Sequence, residues 1–341
     1  MSDLFILGAG ASVPYGFPTG LELFESIKSI NYDINYDETP ILENNICTKI
    51  IRKINYEKNK NNPLYKDYIK FYGEPHNEEM LKIMEDFSNE VKNSTMISID
   101  DFLRNRKNLD QKQLDFGKRI IASKILEAEQ NSLTGKYKEN VNDKKEKEYK
   151  NKIDWLNYLL SFIDRNKNLE DNFFNSKFII FNYDRLFEQK IFEYLRHDKN
   201  LSEEYVLKKI DSMKIIHIHG YIGNLNDIKF GDNENKNYSS IANNMKTVWE
   251  NNSENKTKIR RYFSVCNRVF FIGFGWLDDN MNELGLDYSL KKILRGSEIY
   301  GTAYKISDYN IKYIEDRLKI CGALQTNIKD CEAVDLIRDY F

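Results

Sequence analysis

Short apolar stretches, each ending in a glycine or polar motif, are the feature that most constrains what this chain can fold into. They occur at residues 4–7, 177–181, 213–218, 268–272 and 298–304. Segments with helical spacing follow three of them, from about Thr19 to Ile30, Arg185 to Leu195 and Ser307 to Leu318. Buried strands that alternate with helices are typical of a parallel sheet covered on both faces. The sequence therefore predicts an α/β protein with a Rossmann-like, doubly wound parallel sheet.

The strand pattern is interrupted early and resumes late, which predicts two regions. Residues 1–30 and 171–341 are expected to form the Rossmann-like core. Residues 31–170 read as a mainly helical insertion, and the segment 134–152 within it is almost wholly polar and charged. We expect that segment to be a solvated helix or loop with no role in a site. A chain of 341 residues can bury the cores that this division needs.

Charge and cysteine usage exclude several classes of protein. The net charge of −2 argues against a dedicated nucleic-acid surface, so no direct nucleic-acid site is expected. No Cys-x-x-Cys pair occurs among Cys47, Cys266, Cys321 and Cys331, a pattern that suits a reducing cytoplasm and supplies no zinc ribbon. The longest apolar run, 269–277, is far shorter than the ~20 residues of a membrane span. A cytoplasmic protein without a membrane segment is predicted.

The loop Gly8-Ala9-Gly10-Ala11-Ser12 follows the first predicted strand and precedes a helix. Glycines there allow the backbone to approach a pyrophosphate, and a helix N-terminus offers free N–H groups. The alternative is a tight turn in some other α/β protein. The dehydrogenase fingerprint also needs a third glycine, where this chain has Val13, and an acidic residue about 20 positions further on. The loop therefore predicts dinucleotide binding but not hydride transfer.

Further polar motifs follow the other predicted strands, at 182–184, 219–220 and 273–275. The carboxyl edge of an open parallel sheet is where ligands bind, so these motifs are expected to share one site. Two alternatives stay open, since Asp184 could cap the next helix and Asn182 could be a turn residue. His217 and His219 leave their strand on the same face, but no third ligand is spaced to join them, and no metal is expected.

These motifs together resemble the sirtuin family. Gly8–Ser12 and the following Gly16-Phe17-Pro18 are similar to its Gly-Ala-Gly-x-Ser and Gly-Ile-Pro at the same spacing, with Phe17 in place of Ile. The segment 181–184 resembles its Gln-Asn-Ile-Asp, and His219-Gly220 resembles its catalytic His-Gly. Residues 273–280 resemble the Gly-Phe-Ser-Leu-x-Asp-Pro-Asn run of bacterial sirtuin-like NADases.

The resemblance implies hydrolysis of NAD to nicotinamide and ADP-ribose, with NAD as substrate and no metal. It implies Asn182 and His219 as catalytic residues. The implied NAD-binding residues are Gly8, Ala9, Gly10, Ala11, Ser12, Gly16, Phe17, Pro18, Asp184, Gly273, Phe274, Gly275 and Asp278. Sirtuin deacylases carry a four-cysteine zinc module that this chain lacks by spacing, so water is the expected acceptor.

Zinc-free proteins of this kind with a large helical insertion resemble effectors of bacterial antiphage systems, which stop infection by depleting NAD. The resemblance implies a resting state that is held inactive until triggered. It also implies a homo-oligomer, a separate regulatory partner such as a HerA-type ATPase or a nucleotide-handling subunit, or both. Two alternatives remain: a sensor that binds NAD or ADP-ribose without catalysis, and an ADP-ribosyltransferase or deacylase.

Overall fold

The computed structural model of the chain describes most of the predicted core and part of the insertion. The described residues are 3–30, 78–105, 110–132, 134, 154–232, 241, 243–245, 253–287 and 292–341. The polar segment 134–152, apart from Thr134, and Cys47 lie outside them.

A six-stranded, all-parallel sheet forms the centre of the molecule, with strand order β3-β2-β1-β4-β5-β6. This order confirms the predicted Rossmann-like, doubly wound fold. The strands are β1 (Asp3–Leu7), β2 (Lys177–Ile180), β3 (Lys214–His217), β4 (Arg268–Ile272), β5 (Glu298–Thr302) and β6 (Gln325–Lys329).

The helices of the described residues lie between the strands and in the insertion. They are α1 (Gly20–Lys28), α2 (Glu78–Lys92), α3 (Ile99–Asn105), α4 (Gln111–Gln130), α5 (Trp155–Asp164), α6 (Lys167–Asn175), α7 (Leu186–Glu193), α8 (Glu203–Asp211), α9 (Ser253–Val265), α10 (Asp278–Glu283), α11 (Asp308–Ile320) and α12 (Ala333–Tyr340). A short π-helix, Tyr194–Asp198, continues α7.

Both faces of the sheet are covered, which is why its central strands read as continuous apolar runs. Phe5 points to one face, where it packs with α5, α6, α7, α8 and α12. Leu4 and Ile6 point to the other face, against α9, α10 and α11. All five residues of β1 are buried. β6 was not predicted because it is a polar edge strand in which only Ile328 is buried.

The helical insertion has a hydrophobic core of its own. It is formed by α1, α2, α3 and α4 together with Tyr183 and with Ile222 and Ile228 from the loop after β3. α5 and the first turn of α6 lie within the predicted 31–170 region but pack on the sheet instead. The part of the insertion with a separate core therefore ends at α4 among the described residues.

The strand order places the topological switch point of the sheet at the carboxyl ends of β1 and β4. The chain runs outward from β1 to β2 and β3, then returns to lay β4 on the other side of β1. Such a reversal is the switch point at which open α/β sheets bind ligands. The glycine loop that follows β1 lies at this point.

Replacing Phe5 tests the central packing of the sheet. Its ring stacks on Phe178 and Phe270, with centroids 5.3 and 5.2 Å apart. We expect Phe5→Ala to lower the free energy of unfolding by about 3–5 kcal/mol, because it leaves a cavity at the centre of a buried cluster. Chemical denaturation measures this. Tyr309→Ala is the control, since Tyr309 is 81% exposed and its loss should cost under about 0.5 kcal/mol.

Candidate functional site

The predicted glycine motifs meet at the switch point in direct backbone contact. The Gly8 amide donates to the Ile272 carbonyl, and the Gly10 amide donates to the Gly273 carbonyl, each at 3.0 Å. A Cβ on Gly8 would lie 2.4 Å from the Gly273 oxygen. Gly273 has φ +60°, and a Cβ there would lie 1.9 Å from the Ala11 nitrogen. The ends of β1 and β4 approach this closely only because these positions lack side chains.

The segment after the glycine turn is anchored from α5. Ala9–Ala11 and Val13–Tyr15 are short 3₁₀ helices. The Trp155 indole Nε1 donates to the Ala11 carbonyl at 2.9 Å, and the Tyr15 hydroxyl donates to Asp154 at 2.6 Å. Neither Trp155 nor Asp154 is predicted as a site residue from the sequence, since nothing in the local pattern links residues so far apart in the chain.

The predicted residues 16–18 end this segment. Gly16 adopts the left-handed conformation with φ +91° at the end of the second 3₁₀ helix. Phe17 is buried and its ring lies edge-on to that of Phe230, with centroids 6.4 Å apart. Pro18 is half-buried just before α1. Phe17 thus contributes its side chain to the hydrophobic core.

Asn182 is held against the glycine loop by its amide group. Its Nδ2 donates to the Gly8 carbonyl at 3.1 Å and to Ser12 Oγ at 2.9 Å. A carbonyl can only accept, so the contact with Gly8 determines which way round the amide lies. Its other atom, Oδ1, is buried and has no hydrogen-bond partner among the described residues. The glycine loop thus fixes the orientation of the Asn182 amide and leaves Oδ1 as an acceptor that no described residue uses.

Asp184 lies on the other side of Ser12. Its Oδ1 accepts from Ser12 Oγ at 3.3 Å and from the Leu186 amide at 3.0 Å, so it also caps the start of α7. The pKa of this carboxyl is raised from 3.8 to about 6, mainly by burial and also by the nearby Glu129 and Glu188 carboxylates, against the lowering effect of the two hydrogen bonds. Both predicted roles, helix cap and site residue, are compatible with this position.

His219 lies beside the Asn182 segment. Asn182 follows β2, and His219 lies in the turn after the neighbouring strand β3. The His219 ring is buried, with centroid distances of 5.7 Å to Phe181 and 5.9 Å to Tyr183. The two predicted catalytic residues follow neighbouring strands, but the His219 ring lies beside the residues that flank Asn182, and no hydrogen bond of the described structure joins it to the Asn182 amide.

His217 supports the backbone of Asn182. Its Nε2 lies 2.6 Å from Glu188 Oε1, and its Nδ1 lies 3.5 Å from the Asn182 carbonyl. The ring stacks on Tyr221 with centroids 4.3 Å apart. Sequence reasoning placed His217 on the same face as His219 but gave Glu188 no role, because its partner follows 29 residues later in the chain.

The loop after β4 combines buried and exposed predicted residues. Phe274 is buried, and its ring lies 5.1 Å from that of Phe181. Trp276, with φ +55°, donates from Nε1 to the Thr302 carbonyl at 2.8 Å. Gly275 is exposed. Asp278 begins α10 and is 74% exposed, with Arg317 2.5 Å away.

Arg317 fixes α10 relative to α11. The guanidinium is buried, and it donates to the Leu286 carbonyl at 2.7 Å and to Asn282 at 2.8 Å in addition to Asp278. The sequence analysis did not identify Arg317, since it lies in an ordinary amphipathic helix. It joins α11 to α10, which begins directly after the loop 273–277.

A small cavity lies beside the amide of Asn182. It has a volume of about 10 Å³, and its polar lining consists of Ser12, Asn182 and Asp184. That volume corresponds to about one water molecule. Two larger grooves, of about 1150 and 940 Å³, lie along α5 and α7 and beside β3, and neither is lined by Asn182 or His219. The positions of the predicted motifs at the strand ends, rather than groove size, locate the candidate site.

The described part of the chain contains neither a cluster of metal ligands nor a membrane-spanning helix. In that part, no three His, Cys, Asp or Glu side chains are grouped so that they could bind a metal ion. Among the helices listed above, none combines the length and apolarity that crossing a bilayer requires. No protein-family model and no curated protein matches the sequence.

Substituting Gly273 tests the backbone contact on which the site is built. Gly273→Ala should cost about 3 kcal/mol or more in unfolding free energy, because its Cβ overlaps Ala11 and its φ is positive. Gly275→Ala is the matched control, since the nearest atom to its Cβ, in Leu277, is 3.9 Å away. Chemical denaturation measures the stability of both variants. Equal stability would contradict the conclusion that Gly273 has no room for a side chain.

Asp184 predicts a pH dependence of stability. Its pKa is about 6 when folded and 3.8 ordinarily, so the folded state binds more protons between these values. Stability contributed by the protonated carboxyl is present at pH 4 and is lost as the pH rises through 6. Asp184→Asn should match the wild type at pH 4 and exceed it at pH 7.5, by up to about 3 kcal/mol. Urea denaturation across this range tests it, and parallel curves would refute the assignment.

Proposed function

We propose that this protein is an NAD glycohydrolase that releases nicotinamide and ADP-ribose. The observation that carries the proposal is the Asn182 amide, whose NH₂ is held by Gly8 and Ser12 while its buried oxygen remains without a partner in the described structure. An amide fixed at a glycine turn, on the edge where parallel sheets bind nucleotides, is suited to orienting a hydroxyl or a water.

The chemistry requires positioning more than acid catalysis. The bond to be broken joins C1′ of a ribose to a cationic pyridinium, so nicotinamide leaves as a neutral molecule without being protonated. The oxygen of water bonds to C1′, and the proton of that water must be accepted. The site therefore has to hold the dinucleotide, favour an oxocarbenium-like transition state and direct water to one carbon atom.

The roles of the residues follow from this chemistry and from the sirtuin resemblance. Asn182 orders the water or the nicotinamide-side ribose, and the imidazole of His219 accepts a proton from that water or from a ribose hydroxyl. The loop Gly8–Ser12 contacts the diphosphate, in the role that the resemblance implies. Residues 273–278 line the adenosine ribose, and Asp184 orients the site through Ser12. No resident metal takes part in this scheme.

The cellular role that we propose is that of an antiphage effector, held inactive in the cytoplasm until a trigger releases it. The resemblance to zinc-free NADases with a helical insertion supports it, since unregulated NAD hydrolysis would harm the producing cell. Control by self-assembly or by a separate partner chain, such as a HerA-type ATPase or nucleotide-handling subunit, follows from the same argument. Size-exclusion chromatography that finds a constitutively active monomer would contradict it.

A single incubation with NAD, followed by analysis of its products, distinguishes two other functions from this one. A sensor binds NAD or ADP-ribose and releases no nicotinamide. An ADP-ribosyltransferase releases nicotinamide and leaves radiolabel from the adenylate on protein. A glycohydrolase releases equal amounts of nicotinamide and free ADP-ribose.

Asn182→Ala and His219→Ala should each lower NAD turnover at least ~100-fold, the effect typical of losing a positioned catalytic group. Nicotinamide release measures this, with thermal melting to show that each variant is folded. Asn226→Ala and His197→Ala are matched controls, because both side chains are exposed and neither lies at the strand ends. Near-normal turnover in both site variants would overturn the catalytic assignment.

A further inference from the structure

Four consecutive residues after β2 alternate between two parts of the molecule. Asn182 and Asp184 contact the glycine loop through Ser12. Tyr183 and Arg185 contact the helical insertion, at Asp100 and at Glu129. The same short stretch of backbone therefore carries the candidate site on one side and the insertion on the other.

Tyr183 belongs to the core of the insertion although it lies between two site residues. Its side chain is buried in the cluster formed by α1 to α4. Its hydroxyl donates to Asp100 in the first turn of α3, the helix that Ser98 caps by accepting from the Asp101 amide at 3.0 Å. The ring also lies beside that of His219, at 5.9 Å. One side chain thus contacts both the insertion and a proposed catalytic group.

Arg185 makes the second connection, and it is fully buried. Its Nε and one terminal nitrogen contact the two oxygens of Glu129, at 3.0 and 2.7 Å. Glu129 lies near the end of α4, is 0% exposed, and also accepts from the Gly231 amide at 3.0 Å. The other nitrogen of Arg185 donates to the Gly223 carbonyl at 3.1 Å. A two-pronged buried ion pair of this kind holds its partners in one relative orientation.

We propose that Tyr183 and Arg185 are positioning residues through which the helical insertion sets the geometry of Asn182 and Asp184. The inference rests on the proposed function for its catalytic consequence but not for its structural one. A displacement of α3 or α4 moves the backbone at 183 and 185, and with it Asn182, which precedes them, and Asp184, which lies between them. A partner chain or a second copy bound to the insertion would thereby change turnover without contacting the nucleotide.

The Tyr183 hydroxyl is the place to test this coupling, since Tyr183→Phe removes one oxygen and keeps the ring. Asp100→Ala removes the same hydrogen bond from the insertion side, and Asp100→Asn retains an acceptor for it. Tyr194→Phe is the matched control, because that hydroxyl also donates to carboxylates, Asp164 and Glu170, on helices packed against the sheet.

The readout that does not depend on activity is amide hydrogen exchange in residues 8–17, which comprise the glycine loop and the segment that follows it. We expect Tyr183→Phe and Asp100→Ala each to speed exchange there roughly fivefold, the effect of losing one buried hydrogen bond. Asp100→Asn and Tyr194→Phe should leave exchange in the loop at its wild-type rate. Faster exchange confined to residues 78–130 would overturn the proposal, since the contact would then stabilise only the insertion. If Tyr183→Phe fails to fold, the comparison of Asp100→Ala with Asp100→Asn decides the test.

NAD turnover provides the second readout. Tyr183→Phe and Asp100→Ala should lower kcat about tenfold with little change in KM, as expected when groups that act only in the transition state are misplaced. Asp100→Asn should recover most of kcat. A wild-type protein that does not hydrolyse NAD would refute the proposed function, and the exchange experiment would still decide the coupling. Normal kcat in both disrupting variants of an active enzyme would refute the positioning roles.

Discussion

The structure depends on one contact of backbone with backbone, in which the turn Gly8–Gly10 lies directly against Gly273. Side chains at these positions would collide with main-chain atoms, so the ends of β1 and β4 approach one another only through glycine. The contact places the Gly8 carbonyl where it accepts a hydrogen bond from Asn182 Nδ2. It also brings Ser12 between Asn182 and Asp184. The arrangement of the whole candidate site follows from this turn.

A second feature of the site is a group of buried ionisable side chains next to it. Asp184, Glu188 and Glu129 are all shielded from solvent, and Arg185 and His217 lie among them. Burying charge is costly unless each group is paired, and one oxygen of Glu188 has no partner among the described residues. A core that served stability alone would use apolar side chains here. Such a network suits a site where geometry and protonation matter more than maximal stability.

Much of the fold was predictable from the sequence because its signals are local. The apolar runs of β1, β2, β3, β4 and β5 were found to within a few residues, since strands covered on both faces must be apolar throughout. β6 was missed because an edge strand with one buried side chain, Ile328, has no such run. The assignment of α5 to the sheet rather than to the insertion was not predictable, since an amphipathic helix does not reveal which surface it covers.

The sequence by itself determined that glycine and polar motifs would gather at the carboxyl edge of a parallel sheet, since each follows a strand and parallel strands end together. Tertiary structure alone decided what each motif touches. The orientation of the Asn182 amide depends on a carbonyl 174 residues away, and the Arg185 pair on a glutamate 56 residues away. Contacts at such separations leave no periodic trace in the chain, because they are made only when the sheet and the insertion pack together.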